Sequence, residues 1–313
     1  MSFSAETKNE IAHIIPEKKC CMLAEIAGFL RMNGSIGLAG GGKFNLIATT
    51  EDPAIARHYK TLIKLYFGEE TVTEVGKATS PQKDKLYTMT ISSENRSEPI
   101  LRETGLLMIR EGYDFISDGI YDGLIKSKCC KKAFLRGVFL SAGTVTNPNK
   151  GYHFEISTES QVLAKDIKKL LNSFDDIFSK ITKRKKDYVI YIKDSGRVRD
   201  VLAIMGAHNK VLEFDNVITM RELRNKTNRI NNCDHANINK AIATGERHIE
   251  AIKKIEETRG LDSLPEKLRE VSQVRLENPD ASLTEIGEML REPIKKAGVS
   301  KRLAKIEEIS KGI

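Results

Sequence analysis

The stretches IAGFLRMNG at 26–34 and LRGVFLSAG at 135–143 decide how this chain folds. Each follows an adjacent pair of cysteines at the same distance, Cys20–Cys21 and Cys129–Cys130, so Gly28 falls on Gly137 and Gly34 on Gly143. The match extends outward. After each apolar helical stretch comes an extended segment, 43–50 and 152–158, and then a glutamate, Glu51 or Glu159, opening an amphipathic helix. The first of these carries Ile55, Tyr59, Leu62 and Leu65, the second Val162, Ile167, Leu170 and Leu171. Basic, β-rich stretches follow at 71–91 and 177–192, and short helices close the copies around 98–110 and 197–205. The order helix, two strands, helix, two strands, helix, kept over about a hundred residues per copy, is the mark of a duplication.

A duplicated unit packs about a pseudo-two-fold axis. A glycine inside an apolar helix costs about 1 kcal/mol against alanine, and close approach of another backbone justifies that cost. Gly28 and Gly137 occupy equivalent places, so the two helices are expected to cross there. The expected fold class is α+β: two αββαββα repeats, about 18–110 and 127–205, within a domain 1–214, then a linker 215–232 and an all-α domain 233–313.

Of 313 residues, 40% are apolar and 30% charged, which supports cores under a polar surface and argues against disorder. The net charge of +8 attracts polyanions, nucleic acid or anionic lipid. No apolar run reaches the roughly 18 residues of a membrane span, and residues 1–10 have no apolar signal-peptide core, so a cytoplasmic protein without membrane attachment is expected. Cys233 is alone, and neither adjacent pair has the C-x-x-C spacing of a metal or redox site. The cysteines are therefore expected to be small buried or half-buried thiols, with no metal and no cofactor. GLAGGGK at 37–43 has the glycine-lysine frame of a phosphate loop, but Phe44 follows where Ser or Thr would hold magnesium, and a strand comes next, as after a hairpin turn.

The paired stretches resemble the two LAGLIDADG helices of homing endonucleases. The resemblance implies that these helices form a pseudo-dimer interface, that each repeat contributes a sheet able to lie on DNA, and that the residue before each final glycine would hold divalent metal for phosphodiester cleavage. Those residues here are Asn33 and Ala142. A neutral amide and a methyl group cannot build a two-metal site, so no catalytic residue is expected. Glu25, eight residues earlier on its helix, lies about two turns too early to substitute.

Beyond Phe214 helical periodicity takes over. Residues 220–230, with Arg221, Arg224, Lys226 and Arg229, read as a connecting helix and loop, with a break favoured at Asn231 and Asn232. Ile238, Ile242, Ile249, Ile252 and Ile255 fit one face of a long helix, and 264–276 forms another with Pro265 in its first turn. Ser282 and Glu285 form a capping box for a short helix 283–290, and Pro293 enforces a break. A last helix places Val299, Leu303 and Ile306 inward and Lys295, Lys296, Ser300, Lys301, Arg302 and Lys305 outward. These are the parts of a helix-turn-helix, with Ser282, Thr284 and the outward residues as candidate DNA contacts.

The stretches 228–252 and 264–306 are similar to the WhiA family of Gram-positive bacteria, and the resemblance covers essentially the whole chain. It implies a degenerate LAGLIDADG domain joined to a helix-turn-helix, and roles in sporulation-linked transcription, cell division and chromosome segregation. KKAGVSKR at 295–302 stands where the family is closer to SKSGVNHR, so base preference is the least transferable property. The expected function is a sequence-specific regulator that binds double-stranded DNA, is not an enzyme, and has other transcription regulators as further candidate partners. The alternatives are an active LAGLIDADG nuclease, an RNA-binding maturase-like protein and a partner-binding scaffold.

Overall fold

The computed structural model describes residues 2–41, 43–77 and 85–313. Gly42 of the glycine-rich loop, and 78–84 within the expected β-rich stretch 71–91, lie outside the described residues. Two compact units divide at Met220/Arg221.

The first unit opens with α1 (Phe3–Ile11), then α2 (Lys19–Asn33), β1 (Gly34–Gly40), β2 (Lys43–Thr50), α3 (Pro53–Phe67), β3 (Val72–Lys77), β4 (Lys85–Ile91) and α4 (Ser97–Glu103). A hairpin of β5 (Leu107–Arg110) and β6 (Tyr113–Ile116) joins this repeat to the second: α5 (Lys128–Ala142), β7 (Gly143–Val145), β8 (Phe154–Thr158), α6 (Gln161–Leu171), β9 (Lys180–Arg184), β10 (Asp187–Ile192) and α7 (Ser195–Met205). The two four-stranded sheets have equivalent orders, β1-β2-β4-β3 and β7-β8-β10-β9, and every pairing is antiparallel. The duplication read from the sequence is thus present as two copies of one topology.

Local chemistry explains the element ends. Asp52 caps α3 through Ala54 N and Ile55 N, Pro53 occupies its first turn, and Gly68 ends it in the left-handed region. Ser160 caps α6 and Asp194 caps α7. Both central helices are buried over most of their length, so they read as apolar on every side rather than amphipathic. Two positions assigned inward from spacing, Leu65 and Val162, are exposed, because each sits at the edge of its helix stripe.

Two features depart from expectation, and a third, the helical N-terminus, was not anticipated. Residues 98–110 are not one helix: α4 stops at Glu103, Gly105 takes a φ of +69°, and the chain turns into the β5–β6 hairpin. The polar N-terminus is helical. Ser4 accepts a hydrogen bond from Val145 N, and the Glu10 carboxylate accepts from Asn209 N at 2.7 Å and Lys210 N at 3.2 Å. Finally, the expected loop within 215–232 is absent, since α8 (His208–Arg259) is one helix through Asn231 and Asn232. An interior asparagine costs well under about 1 kcal/mol against alanine, too little to interrupt a helix bonded on both sides. Ile238 and Ile242 are exposed on it, whereas Ile252 and Ile255 are buried.

The second unit contains the rest of α8 with α9 (Glu266–Glu277), α10 (Leu283–Met289) and α11 (Lys296–Lys311). Its core is Ile252, Ile255, Leu264, Val271, Ile286, Leu290, Val299, Leu303 and Ile306. Among the described residues, no helix is long and apolar enough to cross a membrane.

Candidate nucleic-acid interface

In the first unit α2 and α5 cross backbone to backbone. A Cβ at Gly28 would lie 2.3 Å from the Phe134 carbonyl oxygen, and one at Gly137 would lie 2.2 Å from the Glu25 carbonyl oxygen and 2.8 Å from Phe29 N. Neither glycine tolerates a side chain without the helices separating. Beside the crossing, Glu25 is fully buried. Its Oε1 lies 2.8 Å from His58 Nε2, and its Oε2 accepts from Arg136 Nε at 2.9 Å. The carboxylate therefore binds the repeats together and is unavailable to a metal at the helix ends.

The C-terminal ends of α2 and α5 share a depression lined by Asn33, Ala142, Arg31, Asp118, Glu159 and Asp187, among others. Asn33 Nδ2 donates to the Thr49 carbonyl at 3.1 Å, and Ala142 offers no ligand. Arg31 bonds the Ser117 carbonyl and, at 2.8 Å, the Gly105 carbonyl, and burial lowers its guanidinium to about 10. The three carboxylates were not foreseen from sequence. Glu159 is paired with Lys186, and no three ligating groups there come close enough to share an ion among the described residues.

Among the described residues the outer faces of the sheets mix neutral and charged side chains, with exposed Lys180 on that of the second sheet. Residues alternate between faces along a strand, and the register puts Ser35, Ile47, Thr49, Thr88, Thr90 and Glu74 together on the first sheet's face away from the helices. On the second sheet Arg184 is paired with Glu155 at 3.0 Å.

The second unit is different. Ser282 accepts from Glu285 N, and the Glu285 carboxylate accepts from Ser282 N at 2.7 Å, so both halves of the capping box form. These bonds hold the Glu285 carboxyl below its ordinary range. Thr284 is exposed on the first turn of α10. Before the cap, buried Arg275 donates to the carbonyls of Pro279 at 3.2 Å and Ala281 at 2.6 Å, fixing the turn into α10, and burial lowers its guanidinium. After α10, Ile294 N bonds the Gly287 carbonyl, and a Cβ at Gly287 would lie 2.2 Å from the Ile294 carbonyl oxygen. Gly287 thus lets the turn fold tightly over α10.

This turn delivers α11. Val299, Leu303 and Ile306 are fully buried. Lys295 is its N-cap residue and Lys296 its first residue. Those two, with Ser300, Lys301 and Lys305, are exposed, while Arg302 is half-buried on the flank. Lys305 is paired with Glu308 at 2.7 Å. Ala297 and Ala304 also point outward, leaving short side chains between the lysines.

Profiles of the WhiA N-terminal LAGLIDADG-like domain, the WhiA LAGLIDADG-like domain and the WhiA C-terminal HTH domain match residues 19–107, 131–224 and 227–310. A protein of Thermoanaerobacter pseudethanolicus named as a probable cell division protein WhiA is 43% identical over 99% of this chain and 98% of its own length. The chain belongs to the WhiA family. A WhiA relative with the same name from Alkaliphilus metalliredigens is 39% identical over 99% of the chain and 98% of its own. The crystal structure of full-length DUF199/WhiA from Thermotoga maritima matches with a TM-score of 0.60 at 25% identity, covering 100% of this chain and 99% of that one. The fold is that of WhiA: paired LAGLIDADG-like repeats and a helical C-terminal HTH region.

The residues of α11 in this WhiA chain, the capping box before it and its inward side chains are legible in the sequence, whereas the roles of Arg275 and Gly287 are not. Arg275 reads as one more surface cation, and Gly287 as a weak spot in a short helix. The available signal for Gly287 was its place directly beneath a proline-containing turn.

Proposed function

We propose that this chain is a sequence-specific DNA-binding regulator acting in cell division, chromosome segregation or sporulation-type development, without nuclease activity. The observation carrying this reading is α11: an amphipathic helix fixed by three buried residues, presented after a capped helix and a tight turn, with lysines interleaved by alanine and serine on its free face. Short residues between cations suit close approach to a major groove, where lysine reaches phosphates and guanine edges. The names of the relatives direct the reading toward cell division. The loss of carboxylates at Asn33 and Ala142 and the guanidinium of Arg31 at the same helix ends support a binding rather than a cleaving role. Arg31 would repel the divalent ions that cleavage requires.

The test is a set of alanine variants titrated on specific and random duplexes at several salt concentrations. Lys296 and Lys305 are assigned to phosphate, Lys305 exchanging Glu308 for the backbone. Removing either weakens binding to all sequences alike and lowers the salt slope by about one. Ser300 and Lys301 are assigned to bases, each costing about 1–3 kcal/mol on the true site alone. Unchanged affinity and preference in both Ser300→Ala and Lys301→Ala, in a folded domain, overturns the assignment of α11.

A further inference from the structure

We propose that Cys20, Cys21, Cys129 and Cys130 form a tetrathiolate site for one zinc ion at the N-terminal ends of α2 and α5. The four Sγ atoms all lie within 4.8 Å of one another, and they form the one group of potential ligands so arranged among the described residues. The tetrad arises directly from the duplication. Cys20 and Cys21 are the second and third residues of α2, and Cys129 and Cys130 are the second and third of α5. The helices run side by side in the same direction, because their C-terminal ends share one depression and their cysteines meet at the other end. Each repeat thus offers two thiols to the pseudo-two-fold axis.

The chemistry fits a single tetrahedral ion. Zinc at about 2.3 Å from each sulfur sets the sulfurs roughly 3.8 Å apart, so the tetrad needs to tighten only slightly. An iron–sulfur cluster inserts its own inorganic core between the thiolates and needs them farther apart. Tetrahedral all-sulfur sites select zinc among common divalent ions. Cys21 and Cys130 are buried, Cys129 is half-buried and Cys20 is exposed, which leaves one vertex open for the ion to arrive. A zinc tetrathiolate carries a net charge of minus two. Two helix N-termini converge on it, and Lys18, Lys19, Lys128, Lys131 and Lys132 flank the pairs. Binding displaces thiol protons to solvent and involves no redox step. From sequence, these pairs align the repeats, and their lack of C-x-x-C spacing leads to the expectation of buried or half-buried thiols without metal, whereas Cys20 and Cys233 are exposed. Spacing alone does not show that symmetry-equivalent residues beside an axis become neighbours.

The test uses the full chain purified under reducing conditions without a metal-affinity tag. Elemental analysis should find about one zinc per chain, retained through gel filtration and in the Cys233→Ser variant. Cobalt exchanged for zinc should show the sulfur-to-metal charge-transfer and d–d absorption of tetrahedral thiolate coordination. The Cys20→Ser/Cys129→Ser variant, checked as folded by circular dichroism, should bind zinc more weakly by at least the roughly 10–100-fold that even outer-sphere partners are worth. Wild-type chain with no stoichiometric zinc and no such cobalt spectrum overturns the proposal, whether or not the variant folds. So does stoichiometric iron, or a disulfide between the repeats found by mass spectrometry under non-reducing conditions.

Discussion

Glu25 on α2 and Arg136 on α5 share one carboxylate oxygen, Oε2, which lies 2.9 Å from Nε and 2.8 Å from Nη2. The carboxylate is fully buried, and the other oxygen is taken by His58. An ion pair therefore bridges the repeats one turn from the glycine crossing. A buried charge deprived of its partner is costly, so the pair acts as a specificity device as well as a contact.

Replacing Glu25 by Gln strands the Arg136 cation and should destabilise the first unit by about 3 kcal/mol, lowering Tm by roughly 6–12 °C. Adding Arg136→Met to Glu25→Gln should restore part of that loss. A thermal-unfolding double-mutant cycle checks both statements. Additive losses would remove the pairing from the account.

Alanine at Gly137 improves intrinsic helix propensity by about 1 kcal/mol, yet its Cβ would meet the Glu25 carbonyl at 2.2 Å with no flexible side chain to yield. The contact should dominate, with a net loss of about 1–3 kcal/mol. Gly245, where a Cβ would meet only Pro279 O at 3.7 Å, is the control. There alanine should be neutral or stabilising. Equal effects at the two sites, measured by urea unfolding, would contradict the close crossing.

Gly287→Ala should push the Ile294 carbonyl outward and open the turn before α11. We expect specific DNA affinity to fall about tenfold or more, a loss of at least 1.4 kcal/mol, while the circular dichroism of the domain changes little. Retained specific binding in a gel-shift titration would mean that the turn does not set the angle of α11.

No duplex should be cleaved with magnesium or manganese. Asp118, Glu159 and Asp187 line the depression at the helix ends, so the assay includes their alanine variants. Cleavage by the wild-type chain that disappears in one of those variants would show an active centre built from residues outside the two motif positions.

The duplication, the helix-strand order and the inward residues of α11 could all be read from the sequence, because each rests on periodicity or on a cap such as Ser282. Three kinds of feature could not. The β5–β6 hairpin lay hidden because Gly105 turns the chain inside an apolar stretch that also fits a helix. The continuity of α8 overrode the local preference of Asn231 and Asn232, since backbone bonding on both sides outweighs a small propensity penalty. The neighbours of Glu25, and the meeting of the four cysteines, depend on contacts between residues far apart in the chain. Only the symmetry argument applied to Gly28 and Gly137 could have reached them.

The pairing of α2 with α5 also sets a timetable for synthesis. The backbone that Gly28 must meet, at Phe134, leaves the ribosome about a hundred residues later, a delay of roughly 5–20 s at bacterial elongation rates. During that interval the apolar flank of α2 has no native partner. The first repeat emerges as half of an interface, with an exposed face that matches the same face on any other nascent copy. Wrong pairing between chains translated side by side on one message is then a folding error open to this architecture, of the kind repeat proteins share.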